Sequence, residues 1–110
     1  VAATSTWTRD DLMTRGETVY TTACAGCHQM DGAGVPTAFP AIHGSKVVNG
    51  DIEAHLALVM KGKSGTAMRA FAEQLTDVEL AAVVTYQRNA LGNETGDVLQ
   101  PNAVSSAREL

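Results

Sequence analysis

Apolar positions along the chain recur at helical spacing in three stretches, separated by glycine-rich loops, and nowhere alternate for long enough to build a sheet. The class this predicts is all-α. Thr8 with Asp11 three residues on is a capping-box pattern, and Leu12, Gly16 and Tyr20 then fall at i, i+4 and i+8 on one face. A first helix is expected from about Arg9 into the segment around Cys24. The runs Asp31-Gly32-Ala33-Gly34-Val35-Pro36 and Phe39-Pro40-Ala41-Ile42-His43-Gly44 carry loop chemistry without helical periodicity. Asn49 or Asp51 can cap a short helix bearing Ile52, Leu56, Val59 and Met60, which Gly62 ends. Lys61 to Thr66 is a second flexible loop, and it delivers Met68. Thr76-Asp77-Val78-Glu79 is another capping box, with Leu75 and Leu80 as a hydrophobic staple. The last helix is expected to reach about Leu91 before Gly92, with Leu80, Val83, Val84, Gln87 and Leu91 in one stripe and Tyr86 at its edge. From Asn93 onward the composition is polar, with Pro101 and two serines, which predicts an extended or frayed tail. Residues 1–92 are thus read as one domain and 93–110 as a polar C-terminal tail, and no internal repeat appears.

One short run changes the picture. Cys24-Ala25-Gly26-Cys27-His28 is a C-x-x-C-H sequence, the attachment signature of c-type haem. Two thiols three positions apart can each add across one haem vinyl group, and the histidine that follows brings an imidazole to the iron. A zinc site would need a second pair of soft ligands, and the chain holds no other cysteine. A thioredoxin-like redox pair would sit in a βαβ context, which the pattern lacks. Cys24 and Cys27 are therefore assigned as the covalent anchors and His28 as an axial ligand of one haem c.

Length and composition agree with this. A chain of 110 residues makes one small domain, and one Trp, two Tyr and two Phe give it few large side chains for a core. A haem at the centre replaces them with one flat apolar body, so the haem-free chain is expected to fold poorly. Both cysteines are consumed as thioethers, which leaves none for a disulfide. No apolar run approaches the roughly 20 residues that span a bilayer. The chain starts at Val1 without Met or a signal peptide and reads as a processed protein or an excised domain. A net charge of −4 excludes a general basic surface for nucleic acid or anionic lipid.

The order C-x-x-C-H, then Phe-Pro-Ala-Ile-His-Gly, then Gly-Thr-Ala-Met, then a C-terminal helix with an aromatic, resembles class I cytochromes c over nearly the whole chain. The resemblance implies a fold in which the N- and C-terminal helices cross and the haem lies edge-exposed in a crevice. Gly16 then looks like the small residue at the crossing, with Tyr86 its aromatic partner. The family places its distal ligand at the position of Met68. Met60, in an apolar helical stripe, is the reserve, whereas Met13 and Met30 lie on the first helix and too close to His28. A bis-histidine site through His43 or His55 is the remaining alternative, His55 being more simply a surface or packing residue. The match also aligns Pro40 as the carbonyl that accepts from the other ring nitrogen of His28, with Pro36 the competing candidate. Arg69 faces either a propionate or solvent.

Within that family the last third is more specific. Gly65-Thr66-Ala67-Met68-Arg69-Ala70-Phe71, Thr85-Tyr86-Gln87-Arg88-Asn89 and Thr95-Gly96-Asp97-Val98-Leu99-Gln100-Pro101 together resemble the haem c domain at the C-terminus of subunit II in caa-type cytochrome c oxidases. That resemblance implies an electron-transfer domain without catalysis of its own, on the periplasmic side of the bacterial inner membrane. Its donor would be a cytochrome c or a cytochrome bc complex, and its acceptor the dinuclear copper domain of the same subunit. A free periplasmic cytochrome c shuttling between respiratory complexes is the alternative.

Overall fold

The computed structural model describes residues 6–66 and 68–109. Within these residues five helices follow one another: α1 (Arg9–Ala23), α2 (Ala25–His28), α3 (Ile52–Lys61), α4 (Asp77–Asn89) and α5 (Pro101–Arg108). Among the described residues there is no strand, only one isolated antiparallel bridge between Val35 and Phe39.

Each long helix starts where its polar cap is found. The Thr8 hydroxyl accepts from Asp11 N–H, and the Asp51 carboxylate accepts from Ala54 N–H. Thr76 and Glu79 form the reciprocal box, each side chain bonding the other's backbone N–H. Such caps satisfy amide donors that helical geometry leaves without partners, and each contributes about 1 kcal/mol. Gly62, at φ 71°, ends α3.

Helices α1 and α4 cross at Gly16. A Cβ placed there would lie 2.6 Å from Tyr86 Cβ and nearer still to the Ala82 carbonyl oxygen, so only glycine lets the two backbones approach this closely. One turn further along α1, Tyr20 packs its ring against Tyr86, with centroids 5.7 Å apart and planes inclined at 42°. The core extends from this crossing through Leu12, Val19, Leu56, Val59, Met60, Phe71, Leu80 and Val83.

Helix α4 is buried on more than the expected stripe. Ala81, Ala82, Val83, Val84 and Thr85 are all fully buried, and Gln87 and Arg88 nearly so, because α1, α3 and α5 cover it from different sides. It also stops at Asn89, earlier than the pattern suggests. Leu91 at φ 58° and Gly92 at φ 83° turn the chain out in two successive left-handed residues.

The tail departs from expectation. Residues 101–108 form a helix instead of an extended or frayed segment, and Leu99, Pro101 and Val104 are buried on the body of the protein. The cause is tertiary. Thr95 N–H donates to Arg88 O, Gly96 N–H to Asn89 Oδ1, Asn89 Nδ2 to Asp97 O, and Leu99 N–H to Thr85 Oγ1. Arg88 adds a pair with Asp97 and donates to the carbonyls of Val48 and Gly50. Gln100 then exchanges two 2.9 Å hydrogen bonds with the backbone of Trp7, tying the start of α5 to the start of α1.

Candidate functional site

Cys24 is the hinge between α1 and α2, and the single turn of α2 carries Cys27 and His28. Backbone bonds from Cys27 and His28 N–H to Cys24 O, at 3.2 and 3.1 Å, hold that turn. It ends abruptly at Gln29, whose φ of 71° is left-handed and whose carbonyl accepts the Tyr20 hydroxyl at 2.7 Å. Burial pushes the Tyr20 phenol well above its ordinary pKa, so it stays a donor. The two thiols are free, Cys24 buried and Cys27 exposed. Burial, reinforced by the neighbouring Cys27 charge, raises the Cys24 thiol to about 11.

The loop after the motif folds back to meet it. Gly34 N–H donates to His28 O at 2.9 Å, Ile42 N–H donates to Gly32 O at 2.7 Å, and Val35 and Phe39 exchange backbone bonds. Gly34 has to be glycine: its φ is 68°, and a Cβ would lie 2.5 Å from Phe39 O. This closure brings Pro40 O to 2.7 Å from His28 Nδ1. A carbonyl only accepts, so Nδ1 carries a proton, and in the neutral ring Nε2 then keeps the lone pair. Pro36 lies in the exposed part of the same loop.

Met68 is half-buried against the core at the end of the second loop. Lys63 N–H donates to Met68 O at 2.9 Å, and Thr66 Oγ1 bridges Lys63 O and Met68 N–H. Gly62 permits the closure, since a Cβ there would lie 2.6 Å from Met68 O. Beyond the loop, Phe71 and Ala72 N–H bond Val59 and Met60 O at the end of α3. Ala67 lies outside the described residues. Of the other methionines, Met60 is packed in the core, Met13 is half-buried and Met30 is 63% exposed.

A family model described as cytochrome c oxidase, cbb3-type, subunit III matches residues 11–86, which run from α1 through most of α4. The chain belongs to this cytochrome c family. It is 33% identical over 103 residues to the cytochrome c subunit of a quinone-dependent alcohol dehydrogenase from Gluconobacter oxydans, covering 84% of this chain and 22% of that subunit. To the cytochrome c subunit of a gluconate 2-dehydrogenase from Pantoea cypripedii it is 28% identical, covering 97% of this chain and 26% of the relative. To cytochrome c-552 of Thermus thermophilus it is 34% identical over 84 residues, covering 64% of this chain and 63% of that protein. The chain thus spans about a fifth to a quarter of the dehydrogenase subunits it matches.

Membership of a cytochrome c family brings covalently bound haem c, and the residues fit it. The cytochrome presents two free thiols and an imidazole with one nitrogen already satisfied, on a single turn at the end of α1. Among the described residues no group of three or more His, Cys, Asp or Glu side chains gathers to hold a different metal. No helix among them is long and apolar enough to cross a membrane.

The remaining histidines are both engaged. His43 is exposed, with Nδ1 3.0 Å from Leu91 O and its ring against the bare Cα of Gly92. His55 is 1% exposed, with Nε2 2.7 Å from Gln87 Oε1. Burial pulls its pKa down to about 4, leaving a neutral ring at pH 7. Arg69, which the sequence left between a propionate and solvent, stacks its guanidinium over Phe71 at 5.6 Å. Sequence reasoning missed the pairing of His55 with Gln87. The one available signal was a glutamine inside the apolar stripe of α4, a polar residue that burial obliges to find a partner.

Proposed function

We propose that this domain transfers single electrons through a haem c anchored at Cys24 and Cys27 and ligated by His28 and Met68. Bound haem c supplies a one-electron Fe(III)/Fe(II) couple. The observation that carries the reading is the 2.7 Å bond between His28 Nδ1 and Pro40 O. It fixes the ring and its tautomer, leaves Nε2 for iron and raises the basicity of that nitrogen. Met68 is the distal candidate because its loop is closed upon itself and its side chain packs against the core, whereas Met60 already serves as core filler on α3. A His/Met pair leaves no open coordination position, so the residues suit electron exchange with little rearrangement. A thioether ligand also raises the potential relative to two histidines. The domain performs no catalysis itself.

For the physiological setting we propose a respiratory complex on the periplasmic side of the inner membrane. The segment 95–101, beyond the family match and resembling the haem domain of caa-type oxidase subunit II, supports an oxidase. There a cytochrome c or cytochrome bc complex would donate and a dinuclear copper centre would accept. A second reading is favoured by the relatives named above: the domain takes electrons from a dehydrogenase catalytic subunit. Stopped-flow mixing of the reduced domain with an oxidised dinuclear copper domain, and of the oxidised domain with a substrate-reduced quinoprotein dehydrogenase, separates them by which reaction is fast and saturable.

The ligand assignment is tested by the weak long-wavelength sulfur-to-iron absorption band of the oxidised protein. We expect the band in the wild type and its loss in Met68→Ala, together with a lower potential. Retention of the band in the variant would transfer the role to Met60, and its absence from the wild type would indicate a bis-histidine or open site.

A further inference from the structure

A buried polar chain runs between α3 and α4 and ends on the sulfur of Cys24. His55 Nε2 lies 2.7 Å from Gln87 Oε1, and Gln87 Nε2 lies 4.0 Å from Cys24 Sγ, a contact distance for an amide and sulfur. All three residues are at least nine-tenths buried. An imidazole and a carboxamide placed here, one ring nitrogen without a partner, cost free energy that an apolar pair would not.

The direction of the chain is set by chemistry. A cysteine joined to haem as a thioether has no hydrogen to donate and is only a weak acceptor, so Gln87 must turn its NH₂ group toward it. Its oxygen then faces His55, which must donate from Nε2 and keep a lone pair on Nδ1. Among the described residues that Nδ1 is the buried side-chain atom without a partner, so the orphan is an acceptor, and burial, which lowers the ring's pKa, keeps it neutral.

We propose that Gln87 is a positioning residue for electron transfer: held by His55, it aims an amide N–H at the Cys24 thioether sulfur and thereby raises the reduction potential of the attached haem. An N–H pointed at the sulfur withdraws electron density and presents the positive end of its dipole to a group that loses positive charge on reduction. The effect acts through space, and the dry surroundings leave the dipole unscreened. The inference rests on haem attachment at Cys24.

The test uses the haem-loaded protein, with the pyridine haemochrome spectrum reporting both thioethers and the long-wavelength band reporting the axial ligands. Gln87→Met conserves shape and removes the donor, and spectroelectrochemistry should show the equilibrium moved about threefold toward the oxidised form, or about 30 mV at 59 mV per tenfold. His55→Leu frees the amide to rotate and should move it less in the same direction, with no further shift in the double variant. His55→Gln, which still offers an N–H to Gln87, should stay near the wild type. A wild-type potential in Gln87→Met with both spectra intact overturns the proposal, as does a His55→Leu shift that persists undiminished in the double variant. Should Gln87→Met fail to load haem, nitrogen-15 NMR of the reduced wild type decides. A slowly exchanging Gln87 amide with an Nε2–H tautomer at His55 supports the proposal, and rapid exchange or the Nδ1–H tautomer overturns it. A wild-type haemochrome lacking the Cys24 thioether removes the attachment reading, and this inference with it.

Discussion

Replacing Gly16 with alanine sets two effects of opposite sign against each other. Inside a helix, alanine is favoured over glycine by about 1 kcal/mol, so propensity alone makes Gly16→Ala stabilising. The crossing of α1 and α4 opposes it. The added Cβ would sit 2.6 Å from Tyr86 Cβ and closer to the Ala82 carbonyl oxygen, well inside ordinary van der Waals contact. Neither obstacle is the tip of a flexible side chain, so relief requires the helices to part by about 1 Å along an interface that also holds Leu12, Tyr20 and Val83. Overpacking of this kind costs about 1–3 kcal/mol and sometimes more, and the backbone contact places Gly16→Ala at the upper end. The net expectation is a loss of about 2 kcal/mol, which for a domain of this size lowers Tm by roughly 10 °C. Circular dichroism of the haem-loaded proteins at a fixed guanidinium concentration measures it. A variant as stable as the wild type, or more so, would show that propensity wins and that the helices do not meet at Gly16.

Two further outcomes follow from the tail. The Arg88 guanidinium beside Asp97 holds that carboxyl below the usual carboxylate range, so the charged form is favoured by folding. The stability it lends is present above the unfolded pKa of about 4 and is lost as pH falls through the folded value. Asp97→Asn should therefore be less stable than the wild type at pH 7, with the gap closing below about pH 4; denaturant titrations giving a gap constant with pH would refute this. Arg108 pairs with Asp77 and donates to the carbonyls of Ala72 and Leu75, so it clamps α5 onto the segment between the Met68 loop and α4. Arg108→Ala should cost about 1 kcal/mol and speed amide hydrogen exchange in residues 101–108 while leaving the centre of α4 unchanged; unaltered exchange in α5 would show that Leu99 and Val104 hold it unaided.

What was legible in the sequence was local. Thr8, Asp51 and Thr76 cap because their side chains reach N–H groups three residues away, a geometry that needs no tertiary partner. The close approach at Gly16 and that of Pro40 to His28 were legible only through the family resemblance, since each joins residues distant in sequence; the structure shows no room for a side chain at Gly16 or at Gly34, whose closure brings Pro40 to His28. The tail was not legible because its helix depends on contacts distant in sequence. Among the described residues of the tail only Leu99, Pro101 and Val104 are apolar and buried, too few for a stripe, and the backbone of the segment before α5 bonds to side chains of α4. The two runs singled out at Thr85–Asn89 and Thr95–Pro101 are the facing halves of that hydrogen-bond set.

Helix α4 explains why both the tail and the His55–Gln87 pair escaped. A hydrophobic stripe is informative only when the opposite face meets water. Here the opposite face meets α5 and the 95–99 segment, so polar residues on it no longer signal solvent. Thr85 accepts from Leu99, Arg88 bonds Asp97, Val48 and Gly50, and Asn89 bonds Asp97 and Gly96. Gln87 differs: it lies within the apolar stripe itself, turned toward His55 and Cys24. Adjacent residues of one helix therefore serve two purposes, Arg88 fixing the tail and Gln87 reaching the Cys24 sulfur. Loosening the tail at Asp97 or Arg108 should consequently lower stability without moving the potential, whereas Gln87→Met should move the potential.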